Sequence, residues 1–207
     1  MLSIKLLESD RQIAAKINKS LAKAFDRSIN KAISEVETKI KNVITRALYA
    51  SDEIQSLSGG GPQPLMADFG LTTDPSSSIV SAIVSTINIQ VRNSTATSAS
   101  IKGGFTLTMQ PSDFNNLFSL PVANQAIEGG SISWLKWLLE FGDAIIIANF
   151  GVQYGPYGRT GRAHMTEEAK PFKVNSSFSG TAGDNFITRS IATVSQEIKN
   201  IIIGAMQ

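Results

Sequence analysis

The sequence predicts an α+β fold: a long N-terminal helix, an antiparallel or mixed β-sheet, and a C-terminal helix packed on the sheet. Three observations carry this. From Ile13 to Ile54 apolar residues recur at steps of three and four, the period of a helix. Through Ile87, Ile89 and Val91, and again through Phe105, Leu107 and Met109, they recur at steps of two, the period of a half-buried strand. From Phe186 to Ala205 the helical period returns. Helix, strands, helix, strands and helix, without strict βα alternation, is α+β order.

The first helix is expected from Ser9 to about Gln55. Ile13, Ile17, Leu21, Phe25, Ile29, Ile33, Val36, Ile40, Val43, Ala47 and Ile54 make its stripe, and no Pro or Gly interrupts it. Lys16, Lys19, Lys23, Arg27, Lys31, Lys39 and Arg46 lie largely off that stripe. At about 1.5 Å per residue it extends some 60–70 Å, longer than a compact domain of this size needs. SGGGPQP, residues 58–64, stops it, because glycine ends a helix and proline prevents its restart. The chain therefore divides into a basic amphipathic helix (1–57), a Gly/Pro/Ser-rich linker loop (58–78) and an α+β core domain (79–207).

Within that core, Asp74-Pro75-Ser76 predicts a helix start and Ile79 to Val84 a short helix. The two alternating segments, joined by polar NSTATSAS, predict an antiparallel hairpin with a long link. Gln110 to Asp113 opens another helical region. Ser131 to Phe141 predicts a short amphipathic helix, with Trp134, Leu135, Leu138 and Leu139 inward and Trp137 and Phe141 flanking. Ala144 to Phe150 predicts a buried β-branched strand. Phe172, Val174 and Phe178 predict another. Asn185 to Met206 predicts the last helix, with Asp184 as N-cap. Trp134, Trp137, Ile187 and Ile191 are the expected core anchors.

Composition narrows the function. Of 207 residues, 42% are hydrophobic, enough for a core. Only 17% are charged, below the usual quarter, which suits a surface packed against neighbours. With no cysteine, thiol nucleophiles, disulfides and Cys-ligated metals are excluded. No apolar run reaches membrane-span length, and no membrane partner is expected. Residues 1–50 hold ten Lys/Arg against five Asp/Glu, giving +5; the remainder holds nine against twelve, giving −3. Such a split points to an acidic neighbour, another copy, or nucleic acid.

YGPYGRTGRAHM, residues 154–165, carries the only histidine. It lacks the Gly-Lys-Ser/Thr ending of a phosphate loop and does not match the dinucleotide fingerprint. Gly155, Pro156, Gly158 and Gly161 read as a structural turn, with Arg159 and Arg162 placed to meet carboxylates or phosphates. Together with Lys23, Arg27 and Lys31 of the first helix, these arginines are the candidate interface residues. His164 has no ligand cluster or nucleophile elbow near it. Glu167-Glu168 reads as a surface doublet, and Asp68, Asp74, Asp113, Asp143 and Asp184 as capping residues at element boundaries. No catalytic residue, metal or cofactor is expected.

One resemblance adds to this. Trp134-Leu135-Lys136-Trp137-Leu138-Leu139, Gly142, an Ile-rich strand, Gly158-Arg159-Thr160-Gly161-Arg162, Phe178-Ser179-Gly180 and Asp184-Asn185-Phe186-Ile187-Thr188-Arg189 follow one another in the order seen in tailed-bacteriophage virion proteins. The chain resembles their tail-completion or head–tail joining family, with Ser190 where Ala is usual. The resemblance covers residues 131–207, and the first helix by shape. It implies a non-catalytic, ring-forming neck or tail-terminator component, made in the host cytoplasm and located in the virion. Its implied partners are further copies of itself, neighbouring neck and tail proteins and, incidentally, genomic DNA. Three alternatives stay open: a baseplate or other tail structural protein, a basic nucleic-acid-associated morphogenesis factor, and a small hydrolase using His164.

Overall fold

The computed structural model of the protein describes residues 8–127, 130–167 and 171–205. Expectations for Glu168 and Met206 lie outside these residues. The architecture is mixed α+β, with a long N-terminal helix, small antiparallel sheets and a C-terminal helix.

Helix α1 spans Asp10–Tyr49. Its start is set by Ser9, whose N–H donates to Gln12 Oε1 at 2.9 Å while Asp10 complements the positive helix end. The single helix expected to reach Gln55 is two. After Tyr49 the chain turns, and α2 (Asp52–Leu57) starts on Ser51, whose hydroxyl accepts the Ile54 N–H at 3.4 Å. Serine offers the backbone this local alternative, and apolar periodicity does not register it.

The 58–78 segment, expected as a linker loop, contains α3 (Leu65–Asp68), and Leu65, Met66, Ala67, Phe69 and Leu71 are buried. Glycine and proline there set turns, while LMADFGL anchors the segment. Ser56 Oγ accepts from Leu65 N at 2.8 Å, tying α3 to α2. Helix α4 (Ser76–Ser85) follows, with Asp74 accepting the Ser76 N–H at 2.8 Å, as Asp-Pro-Ser predicts.

The described chain forms two compact units. The first comprises residues 8–40, 87–108 and 198–205. Its hairpin pairs β1 (Asn88–Ala96) with β2 (Ile101–Thr108), placing Ile89 opposite Leu107 and Val91 opposite Phe105. The ladder slips between Arg92 and Thr95. There Ser94 N–H, displaced from the ladder, donates to Asp26 Oδ1 of α1 at 2.9 Å. Asn18 Nδ2, about two turns before Asp26 on α1, donates to Thr97 O at 2.8 Å.

The second unit comprises 41–86, 109–127, 130–167 and 171–197. Its helices include α5 (Asn115–Phe118) and α6 (Leu135–Leu139), with a 3₁₀ turn at Pro121–Ala123. Strands β3 (Gln125–Ile127) and β4 (Gly130–Ile132) pair with each other. So do β5 (Ile145–Ile147) with β8 (Phe172–Lys173), and β6 (Phe150–Tyr154) with β7 (Ala163–Glu167), all antiparallel. Ile44, Leu48, Ile54, Leu57, Leu117, Trp134, Leu135 and Phe186 are fully buried at its centre.

Three expectations change here. The 131–141 helix shortens to α6, because Ser131 and Ile132 pair with Ala126 and Gln125 instead. The 144–150 strand is two strands with different partners, split by a turn in which Asn149 has φ 63°. Ile145 is 56% exposed rather than buried. Phe178 lies in a turn that Asn175 closes, not in a strand.

Helix α7 (Phe186–Gly204) is capped by Asn185, not Asp184. The Asn185 side-chain oxygen accepts from Ile187 N at 3.1 Å and Thr188 N at 3.2 Å, while its own N–H donates to Thr188 Oγ1 at 2.9 Å. Asp184 instead pairs with Arg189 at 3.0 Å, and Arg189 also reaches the buried Glu53 of α2 at 2.6 Å. Each residue of Asp184-Asn185-Phe186-Ile187-Thr188-Arg189 thus has a folding role, Phe186 and Ile187 through burial. Gly180 before it passes so close to α6 that a Cβ would lie 2.0 Å from Leu138 O.

Candidate functional site

YGPYGRTGRAHM is the closing loop of the β6–β7 hairpin. Tyr154 pairs with Ala163, and Gly155 N donates to Arg162 O at 2.8 Å. Gly158 has φ +70°, and a Cβ on it would meet Ala163 O at 2.3 Å, so this tight crossing requires glycine. Gly155, Pro156 and Gly161 complete the loop. Both arginines reach back to the 58–71 segment of the same chain. Arg159 Nη2 donates to Gly70 O at 3.2 Å, and Arg162 Nη1 lies 2.7 Å from Met66 Sδ, beside Gly59. The loop is therefore strapped over α3 by two long cations.

Under this strap lies a cavity of about 310 Å³. Its walls are mainly apolar. Phe69 stacks against Trp134 with ring centroids 5.2 Å apart and meets Phe172 edge-on at 6.4 Å. Ile132, Ile147, Val152 and Met165 add aliphatic surface. The Trp134 indole N–H is occupied by Val122 O at 2.8 Å, which fixes the ring.

The polar groups of the wall are few: Asp68, Gln125, Arg159, Thr160 and His164. Asp68, the last residue of α3, accepts the Tyr154 hydroxyl. Burial pushes its carboxyl up to about 6, against a partial lowering by that hydroxyl. The Tyr154 phenol is pushed well above its usual value by burial and by the carboxylate it serves. His164 stands on β7 with its ring edge-on to Tyr157 at 5.1 Å. Among the described residues, His164 Nδ1 and Thr160 Oγ1 are buried without a hydrogen-bond partner. No carboxylate among the described residues hydrogen-bonds this ring nitrogen of His164.

The other candidate surface belongs to the first unit. Lys23, Arg27 and Lys31 are exposed on α1. The apolar stripe of this helix splits. Val36 and Ile40 are buried and Ile29 and Ile33 half-buried, but Ile17 (55%), Leu21 (46%) and Phe25 (46%) are exposed. Towards the N-terminus, Asn18 and Asp26 hydrogen-bond the hairpin, and Ala22 between them is buried. A step of four residues drifts around the helix by about 40° per step, so a long i, i+4 series cannot stay on one face.

Of the expected anchors, Trp134 and Ile187 are buried, while Trp137 and Ile191 are half-buried. Trp137 stacks edge-on with Phe141 at 5.3 Å. Asp74 and Asp113 accept N–H groups two residues ahead, as capping residues do. Asp68 does not cap; it and Tyr154, 86 residues apart, are the pair that sequence reasoning missed. The sequence signal that existed was a lone Asp in the otherwise apolar LMADFGL. Asp143 faces Lys173 at 3.5 Å. Among the described residues there is no cluster of three metal-ligating side chains, and no helix long and apolar enough to cross a membrane. No family model matches the chain, and neither the curated proteins nor the solved structures contain a significant match to it.

Proposed function

We propose that this chain is a non-catalytic structural subunit of a tailed-phage virion, assembling with further copies of itself into a ring of the tail-completion or neck type. The observation that carries the assembly reading is the exposed ridge Ile17-Leu21-Phe25 on α1. A helix that already buries one face on its hairpin, and presents a second apolar ridge to solvent, offers a surface to a neighbour. Another copy is the occupant that the charge distribution favours. Residues 1–50 carry +5 and the remainder −3, so the basic helix of one copy complements the body of the next. The virion setting rests on the order of motifs along residues 131–207.

Native mass spectrometry of the purified chain, with cryo-electron microscopy of particles that contain it, tests this. A closed oligomer with the 17–25 ridge covered, present in several copies per particle, is the expected result. A chain that stays monomeric at high concentration and is absent from particles removes the reading. If that monomer binds DNA with steep salt dependence, the nucleic-acid-associated alternative takes its place.

A further inference from the structure

The cavity beneath the arginine strap has no part in the assembly reading, and its chemistry is specific. Two charged side chains of opposite sign line it, and neither meets an opposite charge among the described residues. Asp68 takes the neutral Tyr154 hydroxyl, and Arg159 the neutral Gly70 carbonyl. Because Gly70 follows Asp68 by two residues, the guanidinium and the carboxylate sit on one short stretch of wall without pairing. The rest of the lining is mainly aromatic and aliphatic, with Phe69, Phe172, Ile147 and Val152. A volume of about 310 Å³ is at the small end of ligand pockets and suits a ligand of roughly a dozen heavy atoms.

We infer that this cavity binds a small zwitterion, an α-amino acid with a large apolar side chain, its ammonium group on Asp68, its carboxylate on Arg159 and its side chain against Phe69, Ile147 and Val152. The argument is one of charge matching. A plain amine satisfies Asp68 but leaves the Arg159 cation facing a like charge. A plain carboxylate satisfies Arg159 but faces Asp68. A ligand carrying both charges a few ångströms apart satisfies both, and its apolar body replaces water against the aromatic wall. A buried carboxylate that no cation pairs with among the described residues is costly for folding alone, which fits a group retained for a ligand.

Three probes of one skeleton separate the cases: L-phenylalanine, phenethylamine and 3-phenylpropionate, titrated into the full chain by calorimetry at pH 7.5. Phenylalanine is expected to bind at least tenfold more tightly than either singly charged analogue. Asp68→Asn and Arg159→Gln, each confirmed folded by circular dichroism, should each weaken phenylalanine binding tenfold or more. In two-dimensional NMR the Trp134 indole N–H should shift on binding while the Trp137 indole N–H stays in place. Either analogue matching phenylalanine, either variant binding like the wild type, or no phenylalanine binding up to millimolar concentration overturns the inference. None of these readouts depends on oligomeric state.

Discussion

Asp68 is hydrogen-bonded by the neutral Tyr154 hydroxyl and paired with no cation among the described residues, and this makes a pH prediction. Its carboxyl titrates near 6 in the folded protein, against an ordinary 3.8, because burial disfavours the charged form more than the Tyr154 hydroxyl favours it. The folded state therefore binds this proton more tightly than the unfolded chain. Its contribution to stability is full below about pH 4 and is lost as pH rises to about 6. At about 1.4 kcal/mol per pH unit, the loss is on the order of 2–3 kcal/mol above pH 6. Asp68→Asn should therefore be more stable than the wild type at pH 7.5 by about that amount and equal to it near pH 4, measured by urea unfolding. A variant less stable at pH 7.5 would mean that a favourable interaction holds the carboxylate. Arg159 and His164 share the cavity wall, so the comparison should be repeated in Arg159→Gln to isolate Asp68. At Arg189 the opposite logic applies. Glu53 is buried, and Arg189 is its ion-pair partner at 2.6 Å. Arg189→Ala strands that carboxylate and should cost roughly 3 kcal/mol, whereas Arg189→Ala in a Glu53→Gln background should cost much less.

At the scale of elements, α1 does different things along its length. Ile40 is fully buried, so Ile40→Ala should cost about 2–5 kcal/mol in thermal or urea unfolding. Leu21 is nearly half exposed, so Leu21→Asp should change the stability of the dilute protein by less than about 1 kcal/mol. The same substitution should prevent self-association in native mass spectrometry, because it puts a charge on the apolar ridge. A Leu21→Asp protein that still assembles would locate the contact elsewhere. The β6–β7 hairpin is as constrained as its glycines imply. Gly158→Ala meets Ala163 O and must adopt φ +70°, so it should destabilise by about 1–3 kcal/mol and loosen the strap over α3.

For the whole molecule, the charge split is the property that reaches beyond a single chain. Association driven by a +5 segment meeting a −3 body should weaken as salt rises from 50 to 500 mM, because screening shortens the reach of exposed charges to a few ångströms. Association that strengthens with salt would show that burial of the apolar ridge, not charge attraction, drives assembly. Arg159 and Arg162 enter at this scale differently from their expectation as interface residues. Each has a contact within its own chain, to Gly70 O and Met66 Sδ. Replacing both with Ala should therefore loosen the strap as well as any contact between copies. Comparing limited proteolysis of the monomer with native mass spectrometry of its oligomers separates the two effects.

What the sequence determined by itself was local. The period of apolar residues placed α1, the β1–β2 hairpin and α7, and Asp74-Pro75-Ser76 placed α4, because each element is specified by residues within a turn or two of one another. Where two local signals competed, the nearer hydrogen bond won: Ser51 broke the first helix, and Asn185 rather than Asp184 capped the last. The loop 154–165 was legible as a turn from its glycines. Only the tertiary structure decided what that turn covers. The Asp68–Tyr154 pair spans 86 residues and the Glu53–Arg189 pair 136, and the cavity wall is drawn from segments between Ala67 and Phe172. No periodicity records such pairings, because they are selected by the packing of separate elements, which also sets how far burial shifts a carboxylate.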